Sequence, residues 1–254
     1  MAAPIALQLY TLREAMAKDF EGVVRKVADI GYVGVEPALG ALHAPIEQAA
    51  ELFCELGFQV PSAHTALPLG DTKDEVLRAA ALLGCRRIIS GKGPDSFKTM
   101  DLIKQSCDEF NQAYAVAAEN GLAFGLHNHW WEFERIAGDG RYVYQVMLKL
   151  LDPGIFFEID TYWVQTAGPN AARIVGDFGA RAPLLHIKDG PANKEKAMQP
   201  IGSGVMDFPA VVKASAGNVE WMIVELDRCD GDMMDAVVES YRYLTAEGLA
   251  TGNK

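Results

Sequence analysis

Residues 125–133 read GLHNHWWEF, which places two of the chain's five histidines at i and i+2, ahead of two tryptophans and a glutamate. Further on, FFEIDTYW carries Glu158 and Asp160, LLHIKDG carries His186 and Lys188, and WMIVELD carries Glu225 and Asp227. Glu36 and His64 close two earlier β-rich runs, YVGVEPA and FQVPSAH. In each case a carboxylate or an imidazole interrupts an apolar run. Buried singly, such groups cost several kcal/mol each, and a shared divalent cation offsets that cost for several at once. Residues two apart on a strand share a face, so His127 with His129, Glu158 with Asp160, and His186 with Lys188 are same-face pairs. Asp160, His186 and Glu225, joined by one group from HNHWWEF, make a four-ligand oxygen and nitrogen set without a thiolate. That donor set suits Mn²⁺, Mg²⁺, Co²⁺ or Zn²⁺. Glu132 is the candidate for the fourth ligand by carboxylate chemistry, whereas His127 or His129 would make the set more zinc-like. Each residue alone has a plainer reading. Asp160 suits a turn, His186 suits a satisfied core position, and Glu158 suits an ion pair with a surrounding helix. Trp130 and Trp131 suit packing, and Trp163 suits packing or a sugar-facing wall equally. The repetition of the pattern at strand ends favours one common site.

That site needs elements that bring distant strand ends together. Short β-rich runs alternate with helical patterns: 5–12, 32–38, 58–64, 85–90, 122–129, 154–160, 182–188 and 219–226 read as strands. Between and after them, Phe20, Val23, Val24, Val27 and Ile30 fall at helical spacing up to Gly31, and helices are expected near 46–57, 72–84, 96–120, 140–150, 170–179, 207–217 and 233–249. Eight strand-then-helix units in 254 residues predict a single (β/α)₈ barrel domain over 1–254. A doubly wound open sheet uses the same alternation, but no GxGxxG loop follows the first strand and the units are evenly sized. The longest connection, residues 189–206, is Gly- and Pro-rich and follows a strand, at the face where barrel enzymes do chemistry. Within it, IGSGVMDF offers either backbone N–H groups for an anion or a plain loop ending at an Asp207 helix cap. No Lys/Arg cluster stands beside it, which favours an unphosphorylated ligand.

The remaining composition bounds the function class. A net charge of −11 disfavours phosphate backbones, so no nucleic-acid partner is expected. Cys54, Cys85, Cys107 and Cys229 are scattered without a CxxC, as in a reducing compartment. No apolar run is long enough for a membrane span, and the start of the chain lacks the basic and apolar regions of a signal peptide, so a cytoplasmic location is expected.

HNHWWEF, EIDTYWVQTAG, LLHIKDG, IGSGVMDF and WMIVELD, in that order, resemble the xylose-isomerase-like TIM-barrel superfamily of sugar isomerases and epimerases, a group that also holds inosose dehydratases and endonuclease IV. The resemblance spans nearly the whole chain. It implies a (β/α)₈ fold and one divalent ion, with Mn²⁺ the first choice, held by Glu132, Asp160, His186 and Glu225. Many members carry the first of these glutamates within the strand itself, where this chain has His127 or a nearby residue. Glu36, His64 and Lys188 match substrate-contact positions. His127, His129 and Trp163 are expected beside them. The endonuclease branch carries more histidines than this chain's five, and homo-oligomers are ordinary for the group.

The chemistry that follows is proton abstraction beside the carbonyl of a keto-sugar or polyol derivative. A metal-stabilised enediolate would form, with Glu132 and Glu225 as acid and base on opposite sides of the reacting carbon. A lyase of the inosose dehydratase or 3-keto-glycoside type uses the same enediolate but expels a leaving group with help from His127, His129 or His64. A non-catalytic sugar-binding barrel is the third reading, disfavoured by the ordered presence of Asp160, His186 and Glu225.

Overall fold

The structure is a computed structural model that describes residues 2–254. Eight strands form in sequence: β1 (Ala3–Gln8), β2 (Gly34–Glu36), β3 (Ala63–His64), β4 (Arg87–Ser90), β5 (Ala123–His127), β6 (Phe156–Asp160), β7 (Leu184–Ile187) and β8 (Trp221–Val224). All pair in parallel in the order β2-β1-β8-β7-β6-β5-β4-β3. The ring closes between β2 and the chain entering β3, through bridges from Gly34 to Gln59 and from Ala38 to His64. The result is a (β/α)₈ barrel, and the open-sheet alternative falls. A ninth, two-residue strand (Ala250–Thr251) lies beside the start of β1. Among the described residues, no helix is long and apolar enough to cross a membrane.

The regular part of β3 is much shorter than residues 58–64. Pro61 lacks the N–H that a ladder requires, so the segment pairs through isolated bridges instead. The fourth helix begins at Met100, where the Thr99 side chain accepts from Leu102 N, and Pro94–Phe97 forms a separate 3-10 turn. A short helix, Thr161–Ala167, follows β6 directly and was not expected from the sequence. Its first turn, TYWV, is β-branched and aromatic, so local propensity hides it. The Asp160 carboxylate starts it by accepting from Trp163 N at 2.8 Å.

The barrel interior is built in layers. Its floor is apolar: Ala6, Ile89, Leu184, Trp221 and Ile223 pack together with Phe156 against them. Gly34 and Gly125 make that floor possible, because a Cβ on the first would stand 2.9 Å from the Trp221 ring and one on the second would overlap Phe156. One inward step up, at Gln8, Glu36, His64, His127, Glu158, His186 and Glu225, the residues turn polar, and only β4 continues with a glycine, Gly91. Register pairs Ala6 with Gly34 and then Gln8 with Glu36, and pairs Asp160 with His186. Outward-facing residues of alternate parity, such as Leu126, Phe157 and Ile159, join the larger core under the helices.

The long connection after β7 is an ordered strap. Asp189 is fully buried, and its carboxylate accepts from the N–H groups of Gly190, Gly202, Gly204 and Met206 at 2.8–3.2 Å. A Cβ on Gly204 would overlap that carboxylate. The glycine amides offered by IGSG therefore already hold an anion that belongs to the chain.

Candidate metal centre and sugar pocket

The polar layer has two tiers. In the lower tier, Glu36 Oε2 accepts from Gln8 Nε2 at 2.7 Å and lies 2.7 Å from His186 Nε2, while Ser62 donates to its other oxygen. Glu158 Oε2 lies 2.6 Å from His64 Nε2, 3.0 Å from His186 Nε2 and 3.1 Å from His127 Nδ1. Glu158 thus faces the barrel axis and pairs with imidazoles, not with a helix arginine. In the upper tier, His186 Nδ1 meets Glu225 Oε2 at 2.7 Å, and His127 Nε2 stands 3.9 Å from Asp160 Oδ2. Lys188 Nζ lies 3.0 Å from Asp160 Oδ2, 2.7 Å from Glu225 Oε2 and 2.9 Å from Asp227 Oδ2. Asn128, the residue between the two histidines, locks the β5 end to the β6 end. Its Oδ1 accepts from Asp160 N at 2.9 Å and its Nδ2 donates to Asp160 O at 3.3 Å.

Among the described residues, two groups of side chains have ligand atoms close enough to hold a metal ion: His64, His127, Glu158 and His186 below, and His127, Asp160, His186 and Glu225 above. The upper group fits a divalent ion on the structure's own terms. Asp160 Oδ1 is committed to the helix cap, whereas Oδ2 is buried and accepts no hydrogen bond of good geometry, even with Lys188 nearby. Burial, only partly offset by Lys188, pushes that carboxyl up to about 6. Two imidazole nitrogens and two carboxylate oxygens are an ordinary donor set for such an ion.

Electrostatics divides the residues further. Burial lowers His127 to about 3 and His129 to about 2, so both rings are neutral, as ligands or hydrogen-bonding groups. Burial also opposes the charge on His186, but Glu158, Glu225 and Glu36 outweigh it and raise its pKa well above the usual value. For Glu225, burial is overridden by Lys188 and His186, which hold its carboxyl well below the usual range. His64 is raised by Glu36 and Glu158 against the effect of burial.

Glu132, expected in the metal set and as an acid–base group, is not brought to this cluster. It sits in the 3-10 turn Trp131–Phe133, where the chain has left the barrel axis. Its carboxylate accepts from His129 N at 2.8 Å and borders a cavity of about 20 Å³ lined by the outward-facing Leu126, Phe157 and Ile159. Burial there pushes the carboxyl up to about 8. The strand-five member of the upper group is His127.

The mouth above the tiers is a cavity of about 410 Å³, bordered by His64, His127, His129, Lys188 and Glu225, with Tyr10, Trp131 and Asp227. His129 stacks on Trp131 at 4.1 Å, and the Trp131 indole N–H donates to Lys92 O. Trp163 instead is buried, tilted against Trp130, with Lys188 Nζ 5.5 Å above its ring. Glu36 lies wholly below the mouth. Gln8, Ser62 and Asn128 belong to the site but did not stand out in the sequence, whereas Glu158 and Asp227 were noted at strand ends without being given a role. Strand parity places Gln8, Ser62 and Glu158 inward, in line with Ala6, His64 and Asp160.

The chain belongs to the xylose isomerase-like TIM barrel family, whose pattern matches residues 24–246. It is similar to a sugar phosphate isomerase/epimerase from Parabacteroides distasonis, at 27% identity with a TM-score of 0.83, over 98% of this chain and 100% of that one. A second protein so described from the same organism is 23% identical with a TM-score of 0.81, over 99% of this chain and 96% of that one. An L-ribulose 3-epimerase shares the fold at 15% identity and a TM-score of 0.71, over 97% and 94% of the two chains. No curated protein matches the chain in sequence.

Proposed function

We propose that the protein is a divalent-metal-dependent isomerase or epimerase of an unphosphorylated keto-sugar or polyol derivative, with the ion held by His127, Asp160, His186 and Glu225. One observation carries this reading. Each imidazole of the upper group has its far nitrogen on a lower carboxylate: His127 Nδ1 on Glu158, and His186 Nε2 on Glu36 and Glu158. A carboxylate there fixes the N–H of the ring below and directs the lone pair upward, as at histidine metal ligands generally. The two carboxylates of the upper set suit Mn²⁺. A bound divalent ion would supply Lewis acidity, polarising the substrate carbonyl and acidifying the adjacent C–H.

The chain's own groups do the rest. Glu225, ionised at the mouth, is the group placed to take the proton, and His64 reaches the same cavity from β3 to return one. Lys188, held between Asp160, Glu225 and Asp227, presents a cation to the oxygen on which charge develops. Trp131, Tyr10 and His129 offer faces for the apolar side of a sugar ring. Glu132 acts by positioning, because it fixes His129 N. The preference for an unphosphorylated substrate rests on the partners of the nearby donors. Lys92 is paired with Glu109 at 2.5 Å, Lys188 with three carboxylates, and the strap's glycine amides with Asp189.

The raised pKa of His64 favours a second reading, elimination, since a protonated imidazole at the mouth suits departure of a hydroxyl. Incubation of Mn²⁺-loaded protein with a ketose panel in D₂O tests both. Deuterium at the carbon beside the carbonyl with sugar recovered is expected. An unsaturated ketone absorbing in the ultraviolet would move the assignment to elimination, and no exchange with any ketose would overturn the isomerase reading.

A further inference from the structure

The lower tier has the makings of a site of its own. His64 Nε2, His127 Nδ1 and His186 Nε2 all converge on Glu158 Oε2, at 2.6, 3.1 and 3.0 Å. Ligand atoms sharing one ion at bond lengths near 2 Å stand about 3–3.5 Å apart, so little movement separates this arrangement from a coordination shell. Glu158 is fully buried and its Oε1 has no hydrogen-bond partner. Glu36, 3.4 Å from His64 Nε2, supplies a second negative charge to balance a dication. His64 borders the mouth, which gives an ion a way in.

The two tiers share His127 and His186, and a neutral imidazole has one lone pair. Each ring is also flanked by carboxylates on both sides. An ion above leaves the lower N–H groups on Glu158 and Glu36. An ion below leaves the upper N–H groups facing Asp160 and Glu225. The same two rings can therefore serve either tier by exchanging tautomers, but not both at once.

We propose that His64, His127, Glu158 and His186 form a second, alternative cation site, rich in nitrogen and suited to Zn²⁺, whose occupation excludes an ion from the upper tier. The exclusion rests on the upper ligand set proposed above; the lower site itself does not. Three imidazoles and one carboxylate favour Zn²⁺ over Mn²⁺, while the upper set, with two carboxylates, favours the harder ion. Zn²⁺ would then be an inhibitor that acts by withdrawing two ligands from the working site.

The test uses the full chain, stripped with chelator and titrated with Zn²⁺ or Mn²⁺ by calorimetry. His64→Ala is expected to weaken Zn²⁺ by about tenfold or more while leaving Mn²⁺ nearly unchanged, and Asp160→Asn to do the reverse. Zn²⁺ X-ray absorption fine structure on the wild-type chain, which needs no variant to fold, is expected to show three imidazoles, and metal analysis of the same sample one ion per chain. Two imidazoles on Zn²⁺, or an equal response of both metals to His64→Ala, would overturn the proposal. If Asp160→Asn leaves Mn²⁺ intact while His64→Ala still weakens Zn²⁺, the lower site stands and the upper assignment fails.

Discussion

Glu132 and His127 are five residues apart and divide the work of HNHWWEF between two sides of the barrel wall. His127 is the last residue of β5 and points inward, while Glu132 lies beyond the strand, where the 3-10 turn carries it outward among phenylalanines. Its acid–base behaviour is then a matter of stability. The folded carboxyl titrates at about 8, above the usual value near 4.3 for an unfolded chain. Below the unfolded value both states are protonated and the contribution is fully present. As pH rises toward 8 only the unfolded state ionises, and stability is lost until the folded carboxyl ionises too. Glu132→Gln removes this titration. Urea unfolding from pH 5 to pH 9 should show the variant gaining on the wild type by on the order of a few kcal/mol, and a constant difference across that range would show that Glu132 is not the buried acid described.

At the scale of elements, the strap after β7 is held by one side chain. Asp189→Ala would leave four backbone N–H groups without an acceptor, at a cost of about 2–4 kcal/mol in chemical denaturation. A loss below about 0.5 kcal/mol would mean that the strap is held elsewhere. This device was not legible in the sequence, since only Gly190 adjoins Asp189 and the other three donors lie 13 to 17 residues further on, with no pattern linking them to it. The eight strands were legible, because apolar runs with inward polar ends repeat at even spacing. Parity correctly paired Glu158 with Asp160 and His186 with Lys188, yet absolute direction came only from the closed ring. The helix Thr161–Ala167 was hidden by its β-prone residues, and Glu132 was misplaced because a turn, whose course no periodicity records, intervenes between the strand and the glutamate.

For the whole molecule, an apolar floor and a polar layer share one narrow interior. Gly34→Val would force the Trp221 ring out of the floor and destabilise the barrel by about 1–3 kcal/mol, read as a lowered midpoint in urea. Conversely, an ion bound only by the folded barrel should raise its stability by mass action, by about 2.7 kcal/mol at one hundred times the Kd. Thermal melts with and without Mn²⁺ should therefore differ, and Asp160→Asn should abolish the difference. We propose that His127, not Glu132, completes the set formed with Asp160, His186 and Glu225. Metal content of chelator-stripped, Mn²⁺-reloaded protein tests it directly: Glu132→Gln should retain about one equivalent and His127→Ala almost none. Loss of metal from Glu132→Gln with retention in His127→Ala would contradict it.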